Sequence, residues 1–256
     1  MKKQIVYEQP LNGHIKYLLR LEYLFAGIMY SLKSPAEWDA RAVINNLIEI
    51  LELIARVDPS PELSNDLHLH LQTLQRWSHA PNADSEHLAE LIQQTKVLAE
   101  CLTTNSEPIG ASFAQHHLLR MIQQRGNIVG GTGRSDLPSF YYWLQKNPKQ
   151  RHAELIEWLT PLEPLRDAND LNLYLIRNNA QVSTQIAEAG LFQTTLDSGT
   201  AYQLIQVVLP LEQVGYPDIR TGRRNLTVKF MEQAEAQRAP KPFEQDINFE
   251  LRCCMI

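Results

Sequence analysis

Cysteine is scarce in this chain: its 256 residues include three, Cys101, Cys253 and Cys254. That number cannot build a disulfide framework, and it points to a reducing cytoplasm. Long apolar runs are missing as well. No run of roughly 18 apolar residues occurs, so no membrane span or membrane partner is expected. Glu8, Gln9 and Pro10 follow the Lys2–Lys3 start too closely to leave room for an apolar signal core. Positive charge is in deficit, with 24 Lys and Arg against 29 Asp and Glu and a net charge of −5. A protein whose main partner is a nucleic-acid backbone needs a broad basic footprint, so that class is disfavoured. Internal repeats and low-complexity tracts are also absent.

The usual signatures of catalysis are missing too. There is no GxSxG and no HExxH, and no histidine pair stands one helical turn apart. His68 and His70 lie two apart and His116 and His117 are adjacent, so all four are expected at the surface. The loop "GGTGRSD" follows a helix and lacks the Lys-Ser/Thr of a phosphate loop, which makes it an interhelical turn with Asp136 as a cap. The terminal "CCMI" has the spacing of a prenylation box, but residue 254 is not aliphatic and no polybasic run precedes it. Cys253 and Cys254 are expected to close a final strand instead. These absences argue for no catalytic motif and predict no metal or cofactor, while an enzyme built on the glycine-rich loop and histidines, or on a triad assembled in space, stays open at this point.

What is present is mostly helix. Ile15, Leu18, Leu19, Phe25 and Ile28 recur at helical spacing, with Lys16 and Arg20 on another face. Ser34, Pro35 and Glu37 suggest a capping box ahead of the stripe Val43, Leu47, Ile50, Leu51 and Ile54. Leu63, Leu67, Leu71 and Leu74 form a third helix, and Leu88 to Leu102 a fourth. "SFAQHHLLRMIQQR" is read as a fifth, ending at Gly126, and shorter helices follow to about residue 180. Around Gln181 the period changes to two. "LFQTTLD", "AYQLIQVVL", "NLTVKF" and "DINFELRC" read as strands, with "DSGT", "GYPD" and "TGRR" as turns. The expected class is α+β: a helical domain over residues 1–180, whose first ten residues can supply a strand to the sheet, then a small antiparallel β domain over 181–256.

One window stands out against the acidic background. "GYPDIRTGRRNLTVKF" holds Arg220, Arg223, Arg224 and Lys229, with no acid from Ile219 to Phe230. Leu226, Val228 and Phe230 should face inward, which leaves Asn225, Thr227 and Lys229 outward. Uncompensated cations around one turn repel each other, and an acidic partner would relieve that. On composition, an acidic peptide, a small anion or a nucleic acid could serve.

The opening "VYEQPLNGHIKYLLRLEYLF" resembles the start of the ZapD family of bacterial cell-division proteins. The likeness continues through "GGTGRSDLPSFYYWL", "LEPLRDANDLNLYLIRNNA", "GYPDI", "VKFME" and "FELRCC", in order along essentially the whole chain. The resemblance implies a cytoplasmic, non-enzymatic homodimer recruited to the mid-cell division site. There it would bind the C-terminal tail of FtsZ, the tubulin-like division GTPase, and crosslink FtsZ filaments. It also implies basic contact residues. Arg20 and Arg56 match basic positions of the family, His117 sits at a position basic in relatives, and Lys229 stands where the family has arginine. Asn225 departs from a second expected arginine, for which Arg223 and Arg224 would substitute, with Arg220 beside them. Tyr141 replaces a family histidine.

Overall fold

A computed structural model describes residues 4–79, 84–104, 108–126, 128, 131–222, 224–233 and 235–256. The chain divides into two compact units: residues 18–172, and a second unit assembled from 1–17 with 173–256. The class is α+β, as expected.

The helical unit holds most of α1 (Gly13–Ser31), α2 (Glu37–Arg56), α3 (Ser60–Ser78), α4 (Ser85–Thr104), α5 (His117–Arg125), α6 (Pro138–Leu144), α7 (Pro148–Leu159) and the start of α8 (Glu163–Asn178). Val43, Leu47, Ile50 and Ile54 of α2 are buried at the spacing their sequence dictates, as are Leu18, Phe25 and Ile28 of α1. Four local expectations change. The Ser34–Glu37 capping box does not form: Ala36 is the N-cap without a side-chain bond, and Glu37 pairs with Arg41. Asp136 does not cap α6, because Leu137 occupies that position and the Asp136 carboxylate accepts from the Ser135 hydroxyl. The fifth helix is two pieces, since a 3-10 turn at Ala111–Gln115 precedes α5 and the His116 imidazole caps α5 by accepting from Leu119 N–H at 3.3 Å.

His70 is the fourth change. It is buried rather than superficial, with Nε2 3.0 Å from Asn172 Oδ1, and Asn172 in turn donates to Asp66 at 3.1 Å. Burial depresses its basicity despite that hydrogen bond and the nearby Asp66, so the neutral ring is favoured. His68 stays exposed. The "GGTGRSD" turn is only partly visible, since Gly130 lies outside the described residues. Gly131 (φ 49°) and Arg134, whose guanidinium stacks 4.6 Å from the Tyr141 ring, lie within them.

The second unit is a pair of antiparallel sheets rather than one. The first sheet has the order β1-β4-β8-β2, from β1 (Gln4–Pro10), β4 (Tyr202–Pro210), β8 (Ile247–Met255) and β2 (Ala180–Ala187). The N-terminal strand thus joins it, with Tyr7 opposite Val207. The second has the order β3-β6-β5, from β3 (Leu191–Thr195), β6 (Asn225–Glu232) and β5 (Tyr216–Thr221), and β7 (Lys241–Pro242) pairs with the end of β6. Their facing side chains make one core: Ile205, Val207, Leu209, Phe249 and Leu251 from one sheet, and Leu226, Val228 and Phe230 from the other. "GYPD", expected as a turn, starts β5: Gly215 (φ 98°) makes the bend and Pro217 sits within an edge strand, where a missing N–H is tolerated.

β2 and β3 are joined by a tight turn with Ala189 at φ 47° and Gly190 at φ 74°, both left-handed, as this hairpin class requires. A Cβ on Gly190 would lie 2.1 Å from the Phe243 carbonyl oxygen, which is backbone and cannot swing aside. Gly190→Ala should therefore destabilise this unit by about 2–4 kcal/mol, whereas Ala189→Gly should cost little or stabilise slightly. Urea unfolding followed by far-ultraviolet circular dichroism reads both, and equal midpoints for wild type and Gly190→Ala would contradict this packing.

Candidate functional site

The basic window occupies the outward face of the second sheet. Register places Leu191, Lys229 and Asp218 in one cross-strand row, and Gln193, Thr227 and Arg220 in the next. Alternation drives Leu226, Val228 and Phe230 into the core at full burial and leaves Asn225 and Lys229 exposed. Asp218, one residue outside the acid-free window, partly balances it. Both Nε and Nη2 of Arg220 donate to Asp218 Oδ2, at 3.1 and 2.7 Å, and the carboxylate raises the guanidinium's basicity. Arg220 is therefore compensated locally. Lys229 lies opposite the same Asp218, yet it makes no ion pair among the described residues.

Arg224 sits at the turn beyond β5, where its carbonyl accepts from Leu196 N–H at 2.7 Å. With Leu196, Asp197, Thr200, Tyr202 and Thr221 it lines a pocket of about 350 Å³. Hydrogen bonds from the Gly199 N–H and the Thr200 hydroxyl hold the exposed Asp197 carboxyl below the usual carboxylate range. The pocket therefore contains a carboxylate as well as a guanidinium, which disfavours a free phosphate. Arg223 lies outside the described residues.

Three further residues belong to the helical unit. Arg20 is half exposed and donates through Nε and Nη2 to Glu49 Oε1, the former at 3.0 Å, while its guanidinium rests 5.1 Å from the Tyr23 ring centroid. Arg56 is the exposed last residue of α2, complementing the carbonyl end of that helix. His117 is exposed at the first position of α5. The pattern of the ZapD family, described as a cell division protein, matches residues 19–229.

The chain belongs to the ZapD family.

The cell division protein ZapD of Methylococcus capsulatus is 33% identical over 256 residues, covering 100% of both chains. That of Ralstonia nicotianae is 35% identical over 251 residues, spanning 98% of this chain and 99% of its own. The ZapD of Aromatoleum aromaticum is 32% identical over 252 residues, 98% of each. A role in cell division follows from membership of the ZapD family. Among the described residues no helix is long and apolar enough to cross a membrane, and no group of three or more His, Cys, Asp or Glu is arranged to hold a metal ion.

The helical unit also holds a groove whose residues sequence reading passed over. A groove of about 380 Å³ between α2 and α5 has an apolar floor of Leu51, Ile54, Phe113 and Leu119. Its basic wall is Arg120, one turn along from His117. Spacing gave the signal: residues 117 and 120 share a helix face. The vicinal cysteines close β8 as expected. Cys254 is fully buried, and desolvation, with Glu8 nearby, pushes its thiol up to about 12.

Proposed function

We propose that this chain binds FtsZ through the acidic, apolar C-terminal tail of FtsZ and crosslinks FtsZ filaments at the mid-cell division site. The tail lies on the outward face of the second sheet, where Lys229 and Arg224 meet its carboxylates and Arg220, held by Asp218, supplies a fixed donor. Arg20, Arg56 and His117 on the helical unit are secondary contacts, and Arg223, next to Arg224 in sequence, adds a further cation. The chain acts as an adaptor, without catalysis or cofactor, and as a homodimer it offers two binding faces to two filaments.

The observation that carries this reading is the exposed Lys229, without an ion-pair partner among the described residues, on a sheet face whose other charges, Arg220 and Asp218, neutralise each other, in a chain with net charge −5. Exposed ion pairs contribute about 0–1 kcal/mol each, so affinity comes from several together with apolar burial, and Leu191 is exposed in the same row. The affinity should therefore be modest and salt-sensitive. Fluorescence anisotropy with a labelled FtsZ tail peptide should show Kd rising about five- to tenfold between about 50 and 300 mM salt. Equal binding of a charge-scrambled peptide, or binding indifferent to salt, would overturn the reading.

A further inference from the structure

We propose that the pocket beside Arg224 takes a basic side chain of the FtsZ tail, with Asp197 as its counter-ion, next to the tail carboxylate that Arg224 holds. The inference rests on the tail-binding reading above and adds a requirement to it: the docked segment carries a cation close to its acid.

The pocket lies at one end of the sheet pair. Leu11 follows β1, residues 196–201 link β3 to β4, and Gly222 and Arg224 turn the chain from β5 into β6. Leu11 and Leu196, both packed on the core shared by the two sheets, form its floor. Two backbone bonds fix the walls. Leu196 N–H donates to Arg224 O at 2.7 Å, and Gly222 N–H donates to Asn225 O at 2.8 Å. The volume of about 350 Å³ is in the range of sites that take a small ligand or part of a peptide.

The two charges lining this space are opposite and do not pair with each other. Asp197 is exposed, and the turn anchors both of its oxygens: Oδ1 accepts from Gly199 N–H at 3.2 Å and Oδ2 from the Thr200 hydroxyl at 2.9 Å. The same bonds favour the ionised form. An ionised carboxylate offers about four acceptor positions, so Asp197 keeps room for a further donor. Arg224 is exposed as well, and its guanidinium makes no ion pair or hydrogen bond among the described residues. Each charge is therefore left to a ligand.

This arrangement selects against a purely acidic occupant. Arg224 attracts a carboxylate, whereas Asp197 repels any carboxylate that enters beside it. A segment with a lysine or arginine near its acid meets both charges. Two fixed opposite charges also admit such a segment in one direction only, which sets the polarity of the tail. Asp197 is thus a specificity-determining residue of the site.

The sign of one substitution tests this. If Asp197 only added repulsion to a basic face, removing its charge would tighten the binding of an acidic peptide. The proposal expects the opposite. Fluorescence anisotropy on the full-length chain would use a labelled FtsZ tail peptide, in its natural sequence and with every lysine and arginine replaced by glutamine. Asp197→Asn keeps an oxygen for the Gly199 N–H, so the turn should persist, as circular dichroism would verify. Its Kd for the natural peptide should rise about two- to fivefold, the scale of one exposed ion pair. For the neutralised peptide the Kd should stay level or fall. Thr200→Ala removes one bond of the turn and keeps the charge, so it should bind the natural peptide within about twofold of the wild type. Equal or tighter binding of the natural peptide by Asp197→Asn would overturn the proposal and leave the tail-binding reading intact. So would an equal loss with both peptides, or a loss by Thr200→Ala as large as that by Asp197→Asn. Failure of the wild type to bind the natural peptide would overturn both.

Discussion

Replacing Arg224 and Lys229 together with glutamate should abolish FtsZ bundling and leave the fold intact. Both side chains are exposed, so reversal removes no core contact. Lys229→Glu does set two carboxylates in register, at positions 229 and 218, at a cost of about 0.5 kcal/mol. At the interface each reversal turns an attraction into a repulsion, so the pair should lose about 2–4 kcal/mol, or about thirty- to a thousandfold in tail affinity. Bundling multiplies that loss, because a crosslink needs both faces engaged. Lys229→Arg should bind at least as tightly as the wild type, since the planar guanidinium can grip a carboxylate with two parallel bonds. Peptide anisotropy and filament pelleting read both variants. Undiminished bundling by the folded double variant would place the tail elsewhere.

Arg177→Met should be strongly destabilising for a residue outside the core, by about 2–3 kcal/mol, because the pair is only partly buried. Arg177, in the last turn of α8, forms a two-pronged pair with Glu8 of β1, at 2.8 Å through Nε and 2.8 Å through Nη2, and Gln206 of β4 adds a bond at 2.7 Å. The pair ties the N-terminal strand and the last helix to the same sheet face. Losing the guanidinium strands a partly buried carboxylate, so the double variant Glu8→Leu with Arg177→Met should recover much of the loss. Acid acts on the same contact. Burial alone would raise the Glu8 carboxyl's pKa, but bonds from Arg177 and Gln206 and the charge of Arg177 outweigh it and hold the value below the usual range. A group with a depressed folded value stabilises above its unfolded value, and that contribution fades as pH falls through the folded one. The wild type should therefore lose stability below about pH 4.5 more steeply than Glu8→Gln. Urea midpoints by circular dichroism against pH check this. Tryptophan fluorescence does not, because Trp38, Trp77, Trp143 and Trp158 all belong to the helical unit. Parallel pH curves would remove Glu8 from the account.

Sequence legibility followed how fully periodicity decides burial. The stripes of α1 and α2 and the alternation of Leu226, Val228 and Phe230 were readable because one face is wholly buried. β2 escaped notice as a strand because an edge open on both faces carries no alternation to read. β5 was mistaken for a turn because proline and glycine usually mark one, whereas Pro217 is tolerated on an edge. His70 was legible in principle: with Leu63, Leu67 and Leu74 it completes a helical stripe, and Leu71 was put in its place. At the site, the basic residues could be listed from sequence. Their compensation could not, because the Arg220–Asp218 and Arg20–Glu49 pairs depend on strand register and helix packing.

The central claim is that a basic sheet face receives the FtsZ tail. Its most direct test is low-speed sedimentation of FtsZ filaments in GTP, with and without this protein, using full-length FtsZ and FtsZ lacking its C-terminal tail. The account predicts that pelleting rises sharply with full-length FtsZ and not at all with the tailless form. Equal pelleting of both forms, or of neither at low salt, would contradict it.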